Sequence, residues 1–84
     1  MPEEIIGKVS SFFARPVVAG IDLTGVLKVG DTIHITGHTT DITVTVSSMQ
    51  IDNANVMEAK AGDSVGIKVT DKVRSGDTVC KVIP

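Results

Sequence analysis

Apolar and polar residues alternate one by one along much of this chain, and this pattern limits the possible folds most strongly. In the segment 41–47, Ile42, Val44 and Val46 alternate with Thr and Ser residues. A two-residue period places one set of side chains on each face of a β-strand, whereas an amphipathic helix needs a period of 3.6 residues. Helical periodicity is missing from the sequence. The chain is therefore expected to be an all-β protein.

The alternation also assigns side chains to a core or to solvent. The segments 5–13 and 16–23 are expected to be extended and joined at Arg15, because Pro16 biases the residue before it away from the helical region. The expected inward set is Ile33, Ile35, Val44, Val46, Val65, Ile67, Val69, Cys80 and Val82, and the expected outward set is His34, Thr43, Thr45, Gly66, Lys68 and Lys81.

The alternation changes phase after Val46, because the next apolar residues, Met49 and Ile51, are odd-numbered. One extra residue near Ser47 and Ser48 would return both sets of side chains to the same face of the sheet. The sequence therefore predicts a β-bulge at this point.

A short repeat occurs three times, in segments 28–33, 60–65 and 74–79. Each copy has a basic residue, any residue, Gly-Asp, Ser or Thr, and then Ile or Val. Glycine allows a turn conformation that other residues avoid, and aspartate can accept hydrogen bonds from backbone amides beyond it. Each copy is therefore predicted to be a turn that opens a strand.

Length and composition favour one small β-barrel domain over residues 1–84. Hydrophobic residues make up 42% of the 84 residues and charged residues 21%, which is typical of a globular protein. An immunoglobulin-like sandwich usually needs about 100 residues, whereas a closed barrel removes exposed strand edges with fewer strands. About six short strands and no helix therefore predict a closed barrel.

The sequence indicates no catalytic, cofactor or metal site. Cys80 is the single cysteine, so it cannot form an internal disulfide, and its expected burial would leave the thiol inert. His34 and His38 would lie about 13 Å apart on one extended strand, too far to share a zinc ion.

No apolar run approaches the ~20 residues that cross a bilayer, and we expect a cytoplasmic protein.

The motifs resemble the second, β-barrel domain of translation GTPases such as elongation factor Tu and initiation factor two. The similarity lies in the stretch 18–33 with its Leu-Lys-x-Gly-Asp, in Ala-Gly-Asp-x-Val-Gly at 61–66, and in basic-x-Gly-x-x-Val at 74–79. It covers residues 6–84 in the family's order. The resemblance implies a closed six-stranded Greek-key barrel and a stand-alone, elongation factor-like protein.

The chain lacks the features by which those GTPases hold nucleotide. Gly7-Lys8 is followed by Val9 where a phosphate-binding loop needs Ser or Thr, and Pro2 stands where the first glycine is required. We therefore expect no GTP binding by this chain alone. The acidic pair and Phe with which the family's barrel holds the tRNA acceptor end are not matched by the aligned Gly7–Ser10 stretch.

A binding surface is the remaining possibility. Lys8 and Phe12 share strand parity and Arg15 lies in the next turn, a cationic and aromatic cluster of the kind that contacts RNA. The net charge of −2 weighs against binding by bulk electrostatics. We expect a non-catalytic module that binds the translation machinery, as tRNA, ribosome or a translation factor. The alternative is a barrel that docks onto a larger enzyme or GTPase complex without RNA contact.

Overall fold

The computed structural model describes residues 2–14, 17–52 and 54–83, and it confirms the all-β prediction. The strands within these residues are β1 (Glu3–Ala14), β2 (Val17–Leu23), β3 (Leu27–Lys28), β4 (Thr32–Thr36), β5 (Asp41–Thr45), β6 (Met49–Ile51), β7 (Ala54–Val56), β8 (Glu58–Ala59), β9 (Ser64–Lys68) and β10 (Thr78–Val82).

Eight of these strands form one antiparallel sheet in the order β5-β4-β10-β1-β2-β9-β6-β7, and β3 pairs with β8 in a second, two-stranded sheet. In the described residues the order of the large sheet does not return to its first strand, so it is not a hydrogen-bonded ring. β5 and β6 are consecutive in the sequence, yet they lie far apart in the strand order.

The phase change after Val46 returns both sets of apolar side chains to the core, as predicted. It is a break between two strands, however, and not the predicted β-bulge at Ser47 and Ser48. β5 pairs with β4, whereas β6 pairs with β7 and β9. Val46 and Met49 are both buried, and the two serines between them are exposed. The extra residue therefore turns the chain from one partner strand to another while both sets of apolar side chains stay in the core.

The bulges are found instead in β1. Its register shifts between Ile5 and Gly7 opposite β10, and between Val9 and Ser11 opposite β2. Each shift adds a residue to β1 that has no partner, and such insertions bend a strand and increase its twist. β1 can therefore curve between its two neighbours.

The core follows the predicted alternation in β4, β5 and β9. Val44, Val46, Ile67 and Val69 are buried as predicted, and Thr43, Thr45 and Lys68 are exposed. The other buried apolar residues are Ile6, Val9, Ala19, Ile21, Leu23, Leu27, Ile33, Ile35, Met49, Ala59, Val65, Val73 and Val79.

β10 has the opposite phase from the one predicted. Val79 is fully buried opposite Ile35, whereas Cys80 is half-buried on the outer face between His34 and Ile5. Both phases of this strand offer apolar side chains, so pairing with β4 decides which set turns inward. The prediction that Cys80 faces the core is wrong for this reason.

The three copies of the repeat form the same turn. The central glycine has a φ of +99° at Gly30, +95° at Gly62 and +94° at Gly76, a region that disfavours other residues. In each turn the aspartate N–H donates to the carbonyl of the basic residue three positions earlier. The aspartate carboxylate accepts from that basic residue's N–H at 2.8–3.0 Å, so it reaches back along the chain and not beyond the turn as predicted.

Each turn is also docked onto a buried residue of another part of the chain. The glycine N–H donates to that residue's carbonyl, and that residue's N–H donates to the aspartate carbonyl, at 2.7–2.9 Å. The repeat is therefore a unit that closes a turn and fixes it to the core. The docking residues are Val46 for the turn at Gly30, Leu23 for the turn at Gly62 and Val9 for the turn at Gly76.

Candidate functional site

Two of the three residues predicted to bind RNA or a partner lie on different faces of β1. Lys8 is exposed and pairs with Asp22 of β2, whereas Phe12 is half-buried, packs against the core and pairs with the buried Ala19. The bulge between Val9 and Ser11 separates them. Lys8 and Phe12 share strand parity, but the expectation that they share a face is therefore wrong, and binding by either residue stays a prediction. Arg15, the third member, lies outside the described residues.

Phe13 takes the outward position that the parity argument gave to Phe12. Its side chain is 58% exposed and pairs with Val18 of β2, which in turn pairs with Lys68 of β9. An aromatic ring on the outer face of the sheet is available for contact with a partner, whereas a ring packed on the core is not.

A shallow groove of about 580 Å³ crosses the outer face of β1, β2, β9 and β6 beside Phe13. A row of paired residues, Ser11, Gly20, Gly66 and Gln50, crosses the four strands at this level. A Cβ on Gly20 would collide with the Ser11 hydroxyl, so glycine is needed there for packing. A Cβ on Gly66 would meet Val18 at an ordinary 3.4 Å, so the floor of the groove is open above Gly66.

A second cluster lies on the outer face of β4, β10 and β1. The His34 imidazole is held between two carboxylates, with Nδ1 2.9 Å from Glu3 Oε2 and Nε2 2.6 Å from Asp41 Oδ1. The hydrogen bond with Asp41, followed by that with Glu3, raises the pKa of His34 above 6.5, against a smaller opposing effect of burial. Protonated His34 can donate to both carboxylates at once and so links β1, β4 and β5.

Cys80 lies between His34 and Ile5 in this cluster, but it has the wrong surroundings for a nucleophile. Burial raises the pKa of the Cys80 thiol, and the nearby Glu3 carboxylate raises it further. A reactive cysteine needs cationic surroundings that lower the thiol pKa. Both ring nitrogens of His34 already face carboxylates, so they do not form a thiolate–imidazole pair with Cys80.

Within residues 2–14, 17–52 and 54–83, no group of three or more His, Cys, Asp and Glu side chains could hold a metal ion. Glu3 and Asp41 lie on opposite nitrogens of one imidazole, so the three side chains do not converge on a single point. The cluster is therefore suited to electrostatic cross-linking of strands and to proton binding.

Comparison with known proteins identifies the family of this chain. Residues 16–80 match the family described as elongation factor Tu domain 2. The chain belongs to the elongation factor Tu domain 2 family. The match includes all three Gly-Asp turns, so the residues that carry the resemblance in the sequence also form the repeated turns of the fold.

A relative of this elongation factor Tu domain 2 chain is a protein of Methanocaldococcus jannaschii described as an uncharacterized protease. The two are 47% identical over 75 residues, which make up 88% of this chain and 18% of the relative. The chain therefore spans less than a fifth of the length of this curated relative.

Solved structures share the fold. The C-terminal domain of a Geobacillus thermoleovorans protein described as a U32 peptidase superimposes with a TM-score of 0.88 at 16% identity, over 95% of this chain and 93% of that domain. The selenomethionine variant of that domain gives 0.86 at 15% identity, over 90% and 96%. These relatives give no support to the predicted stand-alone translation factor or to RNA binding.

Sequence reasoning missed Phe13 and the cluster around His34. Glu3 lies 31 residues from His34 and Asp41 lies 7 residues from it, so no local spacing signals the contact. Phe13 could have been found from the spacing of three between Ile6, Val9 and Phe12, which departs from strict alternation.

The described residues of this elongation factor Tu domain 2 chain contain no helix long and apolar enough to cross a membrane.

Proposed function

We propose that this chain is a non-catalytic accessory domain that docks onto a larger enzyme of the peptidase type. The observation that carries the proposal is the alignment of 88% of this chain with only 18% of a protein described as a protease. A domain that occupies so small a share of an enzyme can leave the catalytic groups to the rest of that enzyme. Its own part is then to contact the larger region.

The chemistry of the outer face supports a role without catalysis. The half-buried Cys80 has a raised thiol pKa, and His34 is engaged by two carboxylates, so neither side chain is prepared for nucleophilic attack or general base catalysis. We therefore propose that a peptide substrate would be cleaved by groups outside this chain, and that this chain acts through protein contacts.

We also infer that the segment 41–51 closes a six-stranded barrel. β5 pairs with β4 and β6 pairs with β9, so this one segment reaches both ends of the ladder β4-β10-β1-β2-β9. Counted as a single kinked strand, it would be the sixth strand of a ring. A strand that changes partner at a bend is a common way to turn a corner in β-structures.

RNA binding through Lys8, Phe12 and Arg15 stays a prediction, as does a cytoplasmic location. For Phe12 the difficulty is physical, because a half-buried ring that packs against the core has less surface free to stack on a base. If RNA does bind on this side of β1, Phe13 is the ring that could stack.

The proposal can be tested by removing the aligned 75 residues from the M. jannaschii protein and adding this chain to the remainder. We expect the two to co-elute in size-exclusion chromatography, because the chain would occupy the place of the removed segment. The full-length M. jannaschii protein is the matched control, since its own domain already fills that place. Equal binding to both proteins, or to neither, would argue against docking at that site.

A further inference from the structure

β5 is the strand at one end of the large sheet, and its backbone edge is five residues long. It pairs with β4 along its whole length, from Asp41 opposite Thr36 to Thr45 opposite Thr32, without a register shift. In the residues that the structure describes, β5 pairs with no second strand. The barrel closure inferred for segment 41–51 leaves this edge open, because it runs through the ladder of β6 with β9. That ladder pairs Met49 with Ile67 and Gln50 with Gly66, and it does not extend back to β5, which ends at Thr45.

The backbone groups that point away from β4 can be assigned from the neighbouring turn. Val46 donates its N–H to Asp31 and accepts from the N–H of Gly30, so its backbone points toward the β4 side. Successive residues of an antiparallel strand alternate in this direction. Val44 and Ile42 therefore also bond toward β4, and the N–H and C=O groups of Asp41, Thr43 and Thr45 point outward.

Most of this edge lacks the side chains and irregularities that usually keep strand edges apart. The run from Ile42 to Val46 contains only β-branched residues, with no Lys, no Pro and no bulge. Asp41 is the one charged residue in the segment 41–47, and its carboxylate is drawn onto the outer face by His34. The edge is therefore uncharged at Thr43 and Thr45, and Asp41 is the one charged residue at its end.

We propose that β5 pairs with β5 of a second copy of this chain, in an antiparallel ladder whose two-fold axis passes between the two copies of Thr43. This register places Thr43 opposite Thr43, Ile42 opposite Val44 and Asp41 opposite Thr45. All of the outward backbone groups then find partners, which gives about six hydrogen bonds across the interface.

The side chains of the strand suit this self-pairing. Thr–Thr and β-branched pairs are favourable across strands, and like charges are not brought together because Asp41 faces a threonine. Ile42, half-buried in the single chain, gains cover from Val44 of the second copy. The net charge of −2 per copy opposes association only weakly.

The test is sedimentation velocity of the 84-residue chain from about 10 µM to about 1 mM, because a five-residue ladder is small beside a standard interface. We expect a monomer–dimer equilibrium that Thr43→Pro weakens about tenfold or more, since proline removes an outward N–H that has no partner among the described residues. Thr43→Val keeps the N–H and the strand propensity, and should dimerise like the wild type.

Hydrogen exchange gives a second readout that needs no variant. Raising the wild-type concentration should slow amide exchange at Thr43 and Thr45 and leave Ile42 and Val44 unchanged, because their amides already bond to β4. A wild type that stays monomeric up to about 1 mM would overturn the proposal. A folded Thr43→Pro variant that dimerises as well as the wild type, or exchange at Thr43 and Thr45 that is independent of concentration, would overturn it too.

Discussion

At the scale of single residues, His34 is the side chain whose charge the fold controls most directly. Glu3 and Asp41 approach its two ring nitrogens from β1 and β5. The two carboxylates can accept hydrogen bonds from the ring at the same time only when the ring is protonated, since a neutral imidazole has one N–H. The folded state therefore favours the protonated form.

This arrangement predicts a pH dependence of stability. The pKa of His34 is raised in the folded chain, so its contribution is fully present below about 6.5, the unfolded value, and is lost as the pH rises through the folded value. Because Asp41 is 82% exposed, we expect only about 0.5–1 kcal/mol. Urea unfolding of wild type and His34→Gln at pH 5.5 and 8.5 measures this.

The difference in unfolding free energy between wild type and His34→Gln should be larger at the lower pH. His38→Gln is the matched control, because His38 lies in the exposed loop between β4 and β5. A difference that grows with rising pH would show that the sign of this account is wrong.

At the scale of elements, the bulges of β1 decide which phenylalanine belongs to the core. Phe12 packs against the core and Phe13 lies on the outer face. Phe12→Ala should therefore cost about 2–4 kcal/mol of unfolding free energy, and Phe13→Ala less than about 1 kcal/mol. Denaturant unfolding of the two variants checks the register, and equal losses would place the bulge elsewhere.

The repeated turns give a second prediction at this scale. Gly62→Ala should cost about 1 kcal/mol because Gly62 has a φ of +95°, although its added Cβ would meet nothing within 4 Å. Gly66→Ala is the matched control, since its Cβ would make an ordinary contact with Val18 and no left-handed φ is required. Thermal unfolding compares them, and a larger loss at Gly66 would contradict the turn assignment.

The elements also show why part of the structure could be predicted from the sequence and part could not. In β5 and β9 only one phase of the alternation is apolar, so Val44 and Ile67 were assigned correctly. In β10 both phases offer apolar residues, and pairing with β4 turns Val79 inward instead of Cys80. The contact of His34 with Glu3 depends on which strands become neighbours, and local spacing does not contain that information.

At the scale of the whole molecule, the fold is a small β-domain with its own apolar core and a radius of gyration of 11.2 Å. It belongs to a family named after a domain of a translation factor, yet the relative in M. jannaschii is described as a protease. Because one fold supports many functions, the partner must be established from the contacts of this chain.

Calorimetric titration of this chain with two ligands tests the proposed function most directly. The first is the M. jannaschii protein without its aligned segment, and the second is tRNA, each at low and moderate salt. The account predicts saturable binding to the truncated protein that persists at moderate salt, and no binding of tRNA under the same conditions. Salt-sensitive binding of tRNA, with no binding of the truncated protein, would contradict it and restore the RNA hypothesis.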